Sequence, residues 1–291
     1  MRVLVIGGGG MLGHKLVQVW QERFDLWTTI RTEYRDYEKF GIFNRNKTIE
    51  RIDIEDIVSV EEAISGSKPD VIVNAVGIIK QTSSAKNVIK TLTGNSIFPH
   101  QLSDIAKRFG SRLITISTDC VFSGKAGKYS ESDVSDASDL YGKSKCLGEI
   151  LTDNCLTIRT SIIGRELNTA HGLIEWFLSN EGKSVKGFTR AVFSGFPTVV
   201  FADILADLIV NHSGLHGLFH ISSEPINKLD LLRLVKDAYQ ADIEINPSDE
   251  FVIDRSLDST KFREATGFRS LDWEEMIKRM AADDIPYQNN K

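Results

Sequence analysis

The chain is short of the features that mark secreted and membrane proteins. It has three cysteines and six prolines in 291 residues, and no apolar run approaches the ~20 residues of a membrane span. Cys120, Cys146 and Cys155 are scattered, so they predict neither a disulfide framework nor a C-x-x-C metal pair. The first residues form an apolar strand rather than a signal peptide. We therefore expect a cytoplasmic protein with reduced cysteines, no bound metal and no membrane association.

Positive charge is also scarce. The 35 Lys and Arg residues are outnumbered by 40 Asp and Glu residues, which gives a formal net charge of −5. Nucleic-acid binding depends on clustered Lys and Arg, so this balance predicts no DNA or RNA partner. With 41% hydrophobic residues, a chain of 291 residues is long enough for one large or two modest α/β domains.

Glycine is concentrated near the amino terminus, between an apolar run and an amphipathic stretch. This segment consists of Gly7, Gly8, Gly9, Gly10, Met11, Leu12 and Gly13. Without Cβ atoms, Gly7 and Gly10 let the backbone turn sharply and approach a pyrophosphate, while Gly13 lets the next helix pack on the strand. Four consecutive glycines can also form a flexible turn. Their place between a strand and a helix start favours a dinucleotide site that includes Met11 and Leu12.

Short β-rich runs alternate with helical patterns in the first half of the chain. The predicted strands are Val3–Ile6, Leu26–Ile30, Thr48–Asp53, Val71–Val76, Leu113–Ser117 and Leu156–Arg159. The predicted helices are Met11–Arg23, Glu61–Ile64, Asn87–Phe109 and Tyr141–Asn154. Repeated βα units predict a Rossmann-like doubly wound parallel sheet, which binds ligands at the carboxyl ends of its strands.

The pattern changes after about residue 160, where loops, short strands and most of the prolines join the helical segments. These segments are Gly172–Ser179, Asp203–Asn211, Leu229–Tyr239 and Trp273–Met280. We expect a nucleotide-binding domain over residues 1–160 and a smaller α/β cap domain over residues 161–291 that binds substrate. The chain is expected to return to the sheet near residues 195–215.

Thr118 directly follows the fifth predicted strand, and Tyr141 and Lys145 come later on a predicted helix. Residues four apart share a helix face, and an ammonium beside a phenol lowers the pKa of that phenol. Tyr141 can then act as an acid or base at a carbonyl or alcohol oxygen, with Thr118 hydrogen-bonded to the same oxygen. A lone Y-x-x-x-K pair arises by chance in many helices. The strand-end hydroxyl and the glycine segment make the combination specific.

Further motifs follow the strands and begin the helices. Together with the glycine segment they are Asp53-Ile54, Asn74-Ala75, Ser117–Gly124, Tyr129-x-Glu131, Tyr141–Glu149, Arg159-Thr160 and Gly195–Thr198. From residue 1 to about 225 the chain resembles the extended short-chain dehydrogenases/reductases that act on nucleotide sugars, and most of all the dTDP-4-dehydrorhamnose reductases. The resemblance implies hydride transfer from NAD(P)H to the 4-keto group of a nucleotide-linked 6-deoxysugar, in polysaccharide precursor synthesis.

The same resemblance implies roles for individual residues. Tyr141 would donate the proton, and Thr118 would orient the carbonyl. Lys145 would lower the pKa of the tyrosine and hold the nicotinamide ribose. The glycine segment, Asp53-Ile54 and Asn74-Ala75 would contact the dinucleotide, with Asp53-Ile54 at the adenine. An Asp after a strand is also a common helix N-cap, which is the alternative for Asp53.

The end of the second predicted strand bears on the choice of cofactor. NAD enzymes usually place an acidic residue there, whereas NADP enzymes tend to place Arg. This strand is followed by Arg31, with no acid before Glu33. We therefore predict NADPH, with Arg31 on its 2′-phosphate and Arg35 helping, and NADH as the second choice. The alternative for Arg31 is a solvated loop arginine.

Two departures from the reductase pattern leave other functions open. Cys120 stands where family members commonly have tyrosine, and the related GDP-fucose synthases pair a cysteine there with a cap-domain histidine. His171 lies in the matching stretch, so the pair could add C3/C5 epimerisation; otherwise Cys120 is a small buried thiol and His171 a helix-start residue. The resemblance also implies Trp176 stacking on the substrate and Arg165 or Arg190 on its phosphate, although a tryptophan at this position is often part of the core.

A third hypothesis is a cofactor-binding regulatory subunit without turnover. Thr118, Tyr141 and Lys145 are all present, which favours catalysis. Relatives are often dimers, so the resemblance is compatible with a homodimer that binds a nucleotide sugar.

Overall fold

The computed structural model describes residues 1–80 and 87–287. Its strands are β1 (Arg2–Ile6), β2 (Asp25–Thr29), β3 (Thr48–Ile49), β4 (Val71–Asn74), β5 (Arg112–Thr118), β6 (Cys155–Thr160), β7 (Ile162–Ile163), β8 (Ser184–Phe188), β9 (Ala191–Phe193), β10 (Phe196–Pro197), β11 (Gly217–His220), β12 (Ile226–Asn227), β13 (Glu244–Ser248) and β14 (Ile253–Asp254). Its α-helices are α1 (Met11–Trp20), α2 (Ile57–Ser67), α3 (Val88–Leu92), α4 (Phe98–Arg108), α5 (Leu140–Leu147), α6 (Leu173–Leu178), α7 (Thr198–Asn211), α8 (Lys228–Tyr239), α9 (Thr260–Thr266) and α10 (Trp273–Ala281).

Seven strands form one parallel sheet in the spatial order β11-β6-β5-β4-β1-β2-β3. The order reverses at β1, because the chain runs outward through β2 to β3 and then crosses back to β4. Strands β1 and β4 are apolar and buried on both faces, as central parallel strands are. The predicted Rossmann-like sheet is confirmed. A reversal of this kind leaves a crevice at the carboxyl ends of the neighbouring strands.

The turn between β1 and α1 requires glycine residues, which have no Cβ atom. Gly7 has φ +89°, a left-handed conformation that L side chains rarely adopt. A Cβ on Gly13 would lie 2.0 Å from the carbonyl oxygen of Gly7, so the first turn of α1 packs directly on the glycine segment.

The second half of the chain contributes both to the main sheet and to smaller sheets. Strand β11 extends the main sheet beside β6, and Trp20 Nε1 of α1 donates to the Ala202 carbonyl of α7 at 3.0 Å. Smaller sheets pair β8 with β13 and place β9 between β12 and β14. The chain thus returns to the sheet over α7 and β11. Within the described residues, no helix is long and apolar enough to cross a bilayer. Residues 288–291, the end of the expected cap domain, lie outside the described residues.

The carboxyl-terminal segment packs back against α1. Lys15 forms an ion pair with Asp283, and both side chains are buried. Tyr287 accepts a hydrogen bond from Lys15 at 3.0 Å and is within 3.1 Å of His14 Nε2. Burial lowers the pKa of His14 to about 4, so this ring is neutral at physiological pH. The last described residues therefore help to hold the helix that follows the glycine segment.

Several predicted boundaries are wrong, for local reasons. The third strand stops at Ile49, because Arg51 takes a left-handed φ of 63°. The predicted helix Asn87–Phe109 is α3 and α4 joined by a π-helical turn, Thr93–Ile97. Helix α5 ends at Leu147 rather than at residue 154, and β11 was not predicted.

The early end of α5 follows from close packing. A Cβ on Gly148 would lie 1.9 Å from the Asn95 carbonyl, so the end of α5 rests on the backbone of the π-helical turn. Thr157 Oγ1 then donates to the Ile150 carbonyl at 2.6 Å and accepts from the Ile150 N–H at 3.1 Å. These bonds hold Ile150 outside a helix.

The glycine packing predicts opposite effects for two Gly→Ala changes. Gly13→Ala should lower the free energy of unfolding by about 2 kcal/mol or more, because its Cβ would press against the Gly7 backbone. Gly66→Ala, in α2 with no atom within 4 Å of the added Cβ, should raise it by about 0.5–1 kcal/mol. Urea denaturation of the wild type and of both variants measures these changes in the free energy of unfolding. Equal stability of the two variants would contradict the packing described.

Candidate active site

A cavity of about 710 Å³ opens at the carboxyl ends of the central strands. One wing is lined by residues 10–12 of the glycine segment and by residues 74–77 after β4. The other wing is lined by residues of β8, β9, α8 and the end of β14. Thr118, Tyr141 and Lys145 line the same cavity. The predicted catalytic residues therefore share one cavity with the glycine segment.

The first wing fits the phosphates of a dinucleotide. A Cβ on Gly10 would meet no protein atom closer than 3.5 Å, so its missing side chain leaves open space in the cavity. Gly10 is also the N-cap of α1, with no side-chain cap and no acidic residue in the first turn. The N–H groups of the first turn, at Met11 and Leu12, are thus available to an anion. Asn74 and Ala75 line the same wing, and the Asn74 side chain accepts from the Val76 N–H at 3.1 Å.

Helix α5 begins in direct contact with the turn after β5. A Cβ on Gly142 would lie 2.2 Å from the Cys120 carbonyl, so only glycine permits this approach. Asp139 caps the helix by accepting from the Gly142 N–H at 3.0 Å. Tyr141, between the cap and the glycine, is thereby placed beside Thr118, and both side chains line the cavity.

The Thr118 hydroxyl is held from two sides. It donates to Asp119 Oδ1 at 3.1 Å and accepts from the Cys120 N–H at 3.1 Å. Burial raises the pKa of the Asp119 carboxyl. Burial also raises the pKa of the Tyr141 phenol, and the neighbouring Cys120 raises this pKa further. The phenol is therefore protonated at neutral pH. The strand-end hydroxyl and the phenol therefore lie side by side on the cavity wall.

Lys145 lies on α5 at the edge of the cavity. Its ammonium donates to the Ile116 carbonyl at 2.7 Å, and burial lowers its pKa to about 8. The side chain of Asn95, in the π-helical turn, accepts a hydrogen bond from the Ile78 N–H. It also donates to the Ile78 carbonyl and to Ser144 Oγ. It therefore ties the loop after β4 to α5. Sequence reasoning missed Asn95, because a π-helical turn has the same local pattern as an α-helix. The lowering of the Tyr141 pKa by Lys145 stays a prediction.

The residues predicted at the adenine end lie outside the cavity lining. Arg31 is exposed and forms no ion pair with any residue in 1–80 or 87–287. Arg35 pairs with Glu33 at 2.7 Å. Asp53 accepts from the Glu55 N–H at 3.0 Å and does not cap α2, because Asp56 is the N-cap. Ile54 packs against the apolar cluster around β1 and β4.

The predicted substrate residues separate into two groups. Cys120, His171 and Trp176 line the cavity, and Trp176 is 42% exposed. Arg165 does not line it. Its Nε pairs with Glu175 at 2.6 Å, and its guanidinium lies 4.5 Å from the centre of the Tyr287 ring. Arg165 thus contacts α6 and the carboxyl-terminal segment rather than the cavity.

Burial and the neighbouring Asp119 raise the pKa of the Cys120 thiol to about 11. The thiol is therefore protonated at neutral pH. Within the described part of the chain, no hydrogen bond joins it to His171. Neither is there a cluster of three metal-ligating side chains among those residues.

The depressed pKa of Lys145 predicts a pH-dependent stability. Between about pH 8 and pH 10.5 the unfolded chain holds this proton and the folded chain does not, so the free energy of unfolding rises with pH. Lys145→Met should be more stable than the wild type at pH 7, by up to about 3 kcal/mol, and the difference should shrink toward pH 10. Paired denaturation curves at the two pH values test this. A difference that does not change with pH would contradict it.

The chain is similar to known proteins over nearly its whole length. A family profile described as RmlD substrate binding domain matches residues 1–285. A dTDP-4-dehydrorhamnose reductase of Aggregatibacter actinomycetemcomitans is 24% identical over 97% of this chain and 98% of its own. The subunit beta of Mus musculus methionine adenosyltransferase 2 is 29% identical over 51% of this chain and 41% of its own.

A solved structure of dTDP-4-dehydrorhamnose reductase from Bacillus anthracis in complex with NADP matches with a TM-score of 0.78. It is 20% identical and covers 96% of each chain. The family match confirms the resemblance predicted from the motifs and extends it from about residue 225 to residue 285. The chain belongs to the RmlD substrate-binding-domain family.

Proposed function

We propose that the protein is an NADPH-dependent reductase of the 4-keto group of a nucleotide-linked 6-deoxysugar, acting in polysaccharide precursor synthesis. The observation that carries the proposal is that Thr118 and Tyr141 lie beside each other in a cavity that the glycine segment also lines. The Aggregatibacter reductase, aligned over nearly its whole length, supports the reaction, and the NADP complex of the Bacillus reductase supports the cofactor.

The chain's own groups suit reduction of a ketone. Bound NADPH would supply the hydride. Tyr141 is protonated at neutral pH because burial raises its pKa, so it holds the proton that the ketone oxygen requires. Thr118 orients that oxygen beside the phenol. The buried ammonium of Lys145, next to the dinucleotide wing, is placed to hold a ribose hydroxyl.

Two other functions receive less support from the site. Epimerisation needs a base, and a Cys120 thiol with a pKa of about 11 is protonated at neutral pH. A purely regulatory role, for which the adenosyltransferase subunit is the relevant relative, does not require the Thr118–Tyr141 pair. The assembled pair favours turnover.

The direct test is oxidation of NADPH with dTDP-4-dehydrorhamnose in D₂O, with the product examined by NMR and mass spectrometry. We expect turnover with no enzyme-dependent deuterium on the carbons beside the ketone. Deuterium at C3 or C5 above a control without enzyme would favour the epimerase. Tight NADPH binding without turnover of any 4-keto nucleotide sugar would favour the regulatory subunit.

Tyr141→Phe should lower kcat by about 10²–10⁴-fold, because the proton donor is lost. NADPH binding should stay nearly unchanged. Stopped-flow assays and a fluorescence titration separate the two effects. Tyr34→Phe, which removes a hydroxyl bonded to the Phe43 carbonyl far from the cavity lining, is the control. If Tyr141→Phe keeps the turnover of that control, another group donates the proton.

Arg31→Glu should raise the KM for NADPH by about tenfold or more, because a charged hydrogen bond to the 2′-phosphate is worth about 1.5–3 kcal/mol. The KM for NADH should change little, which makes NADH the internal control. Steady-state kinetics with both cofactors measure the change in the KM for NADPH and in the KM for NADH. A parallel rise for both cofactors would show that Arg31 does not contact the 2′-phosphate.

A further inference from the structure

The last described residues lie between the helix after the glycine segment and the loop that leads to α6. On the side of α1, the Tyr287 hydroxyl is within 3.1 Å of His14 Nε2 and accepts a hydrogen bond from Lys15 at 3.0 Å. It also donates to Asp283, which pairs with Lys15. On the other side, the Arg165 guanidinium lies 4.5 Å from the centre of the Tyr287 ring. Tyr287 therefore contacts α1 with its hydroxyl and Arg165 with its ring.

His14 joins this contact to the glycine segment. Its Nδ1 lies 2.9 Å from the Gly10 carbonyl, which can only accept, so Nδ1 carries the proton of the neutral ring. Nε2 is then an acceptor, and it faces the Tyr287 hydroxyl. Gly10 is the N-cap of α1, the helix whose first N–H groups are expected to meet a pyrophosphate. One buried side chain thus connects the expected pyrophosphate position with Tyr287.

Arg165 joins the same segment to the cavity wall. Its Nε donates to Glu175 Oε1 at 2.6 Å, and that oxygen also accepts from the Glu166 N–H at 2.9 Å. The Glu166 carboxylate in turn accepts from the His171 N–H at 3.2 Å and from the Gly172 N–H. Glu166, His171 and Gly172 all line the cavity. The carboxylate therefore holds a loop of the candidate site.

These contacts form a continuous path of polar groups from α1 to the loop. His14, Glu166 and Glu175 are buried, and the Arg165 side chain is 12% exposed. Residues 168–171 of the loop are exposed, whereas the carboxylate that holds them is buried. Close-packed groups move together, because an interior has little free space and a buried polar group that loses its partner is destabilising. A displacement of α1 therefore has a physical route to the loop.

We propose that Tyr287 and Arg165 are positioning residues that couple binding of the dinucleotide to the position of the substrate loop, residues 167–172. The inference rests on the proposed function, which places a dinucleotide at the glycine segment and a nucleotide sugar beside this loop. A pyrophosphate at the first turn of α1 fixes the Gly10 carbonyl, and His14 passes that constraint to Tyr287. Such coupling is reciprocal, so each ligand raises the affinity for the other by the same factor.

Hydrogen exchange of the backbone amides in the substrate loop tests the coupling with NADP⁺ alone. In the wild type, saturating NADP⁺ should slow the exchange of the His171 and Gly172 amides by about fivefold or more. Tyr287→Phe keeps the ring against Arg165 but loses the hydroxyl that faces α1. This variant should still bind NADP⁺, and the bound NADP⁺ should no longer slow the exchange. Arg165→Gln breaks the path at its other end and should give the same result.

Tyr34→Phe is the matched control for a lost hydroxyl, because the Tyr34 hydroxyl donates to the Phe43 carbonyl away from the cavity lining. It should keep the protection seen in the wild type. The proposal is overturned if NADP⁺ also protects the loop in Tyr287→Phe. NADP⁺ would then act on the loop directly, through Met11, whose sulfur lies 3.6 Å from the position of a Cβ on Gly172. It is equally overturned if NADP⁺ leaves the loop of the wild type unprotected.

Isothermal titration calorimetry with dTDP-glucose distinguishes failure of the coupling from failure of the proposed function. Saturation with NADP⁺ should lower the Kd for dTDP-glucose by about fivefold or more in the wild type and leave it unchanged in Tyr287→Phe. Turnover of a 4-keto nucleotide sugar with the same Kd in both states would reject the coupling and keep the reductase. A loop that NADP⁺ protects only through Tyr287, in a protein that neither binds dTDP-glucose nor oxidises NADPH, would reject the reductase and keep the coupling.

Discussion

The contact between the start of α5 and the turn after β5 holds the reacting groups together. Gly142 lets the helix approach the Cys120 carbonyl, and Asp139 closes the first turn. Two residues further on, the Ser144 carbonyl accepts a hydrogen bond from the Ser96 hydroxyl, and the Ser144 hydroxyl accepts one from the Asn95 side chain. Tyr141 is thereby fixed by backbone contacts on both sides. The phenol can be buried beside Thr118 without a mobile loop to deliver it, and this burial gives the protonated state that ketone reduction requires.

The parts of the site that sequence reasoning found have local causes. A glycine segment between a strand and a helix, and a hydroxyl at a strand end, are contiguous in the chain, and their spacing reflects the turn that they must form. Gly7 needs its left-handed φ, and Gly13 needs its missing Cβ. The doubly wound sheet was predictable for the same reason, because each βα unit shows its own hydrophobic pattern.

The parts that sequence reasoning missed depend on long-range packing. Strand β11 is four residues long and becomes a strand through its pairing with β6. Lys228 and Arg255 reach the cavity because α8 and β14 pack around β9, and no motif near either residue indicates this. Arg165 shows the converse. It is close to His171 in sequence, but its guanidinium lies on the Tyr287 ring, because nearness in the chain does not fix the face to which a side chain turns.

The ion pair between Lys15 and Asp283 spans 268 residues and bears on the order of folding during synthesis. Lys15 belongs to the helix after the glycine segment, yet the charge that neutralises it is made 268 residues later. Strand β11, from residues 217–220, likewise joins the sheet late. A ribosome that has produced the chain only as far as β6 therefore holds a sheet with an open edge at β6 and an unneutralised lysine on α1. The helix after the glycine segment therefore gains its full set of contacts only after residues 283–287 have been made.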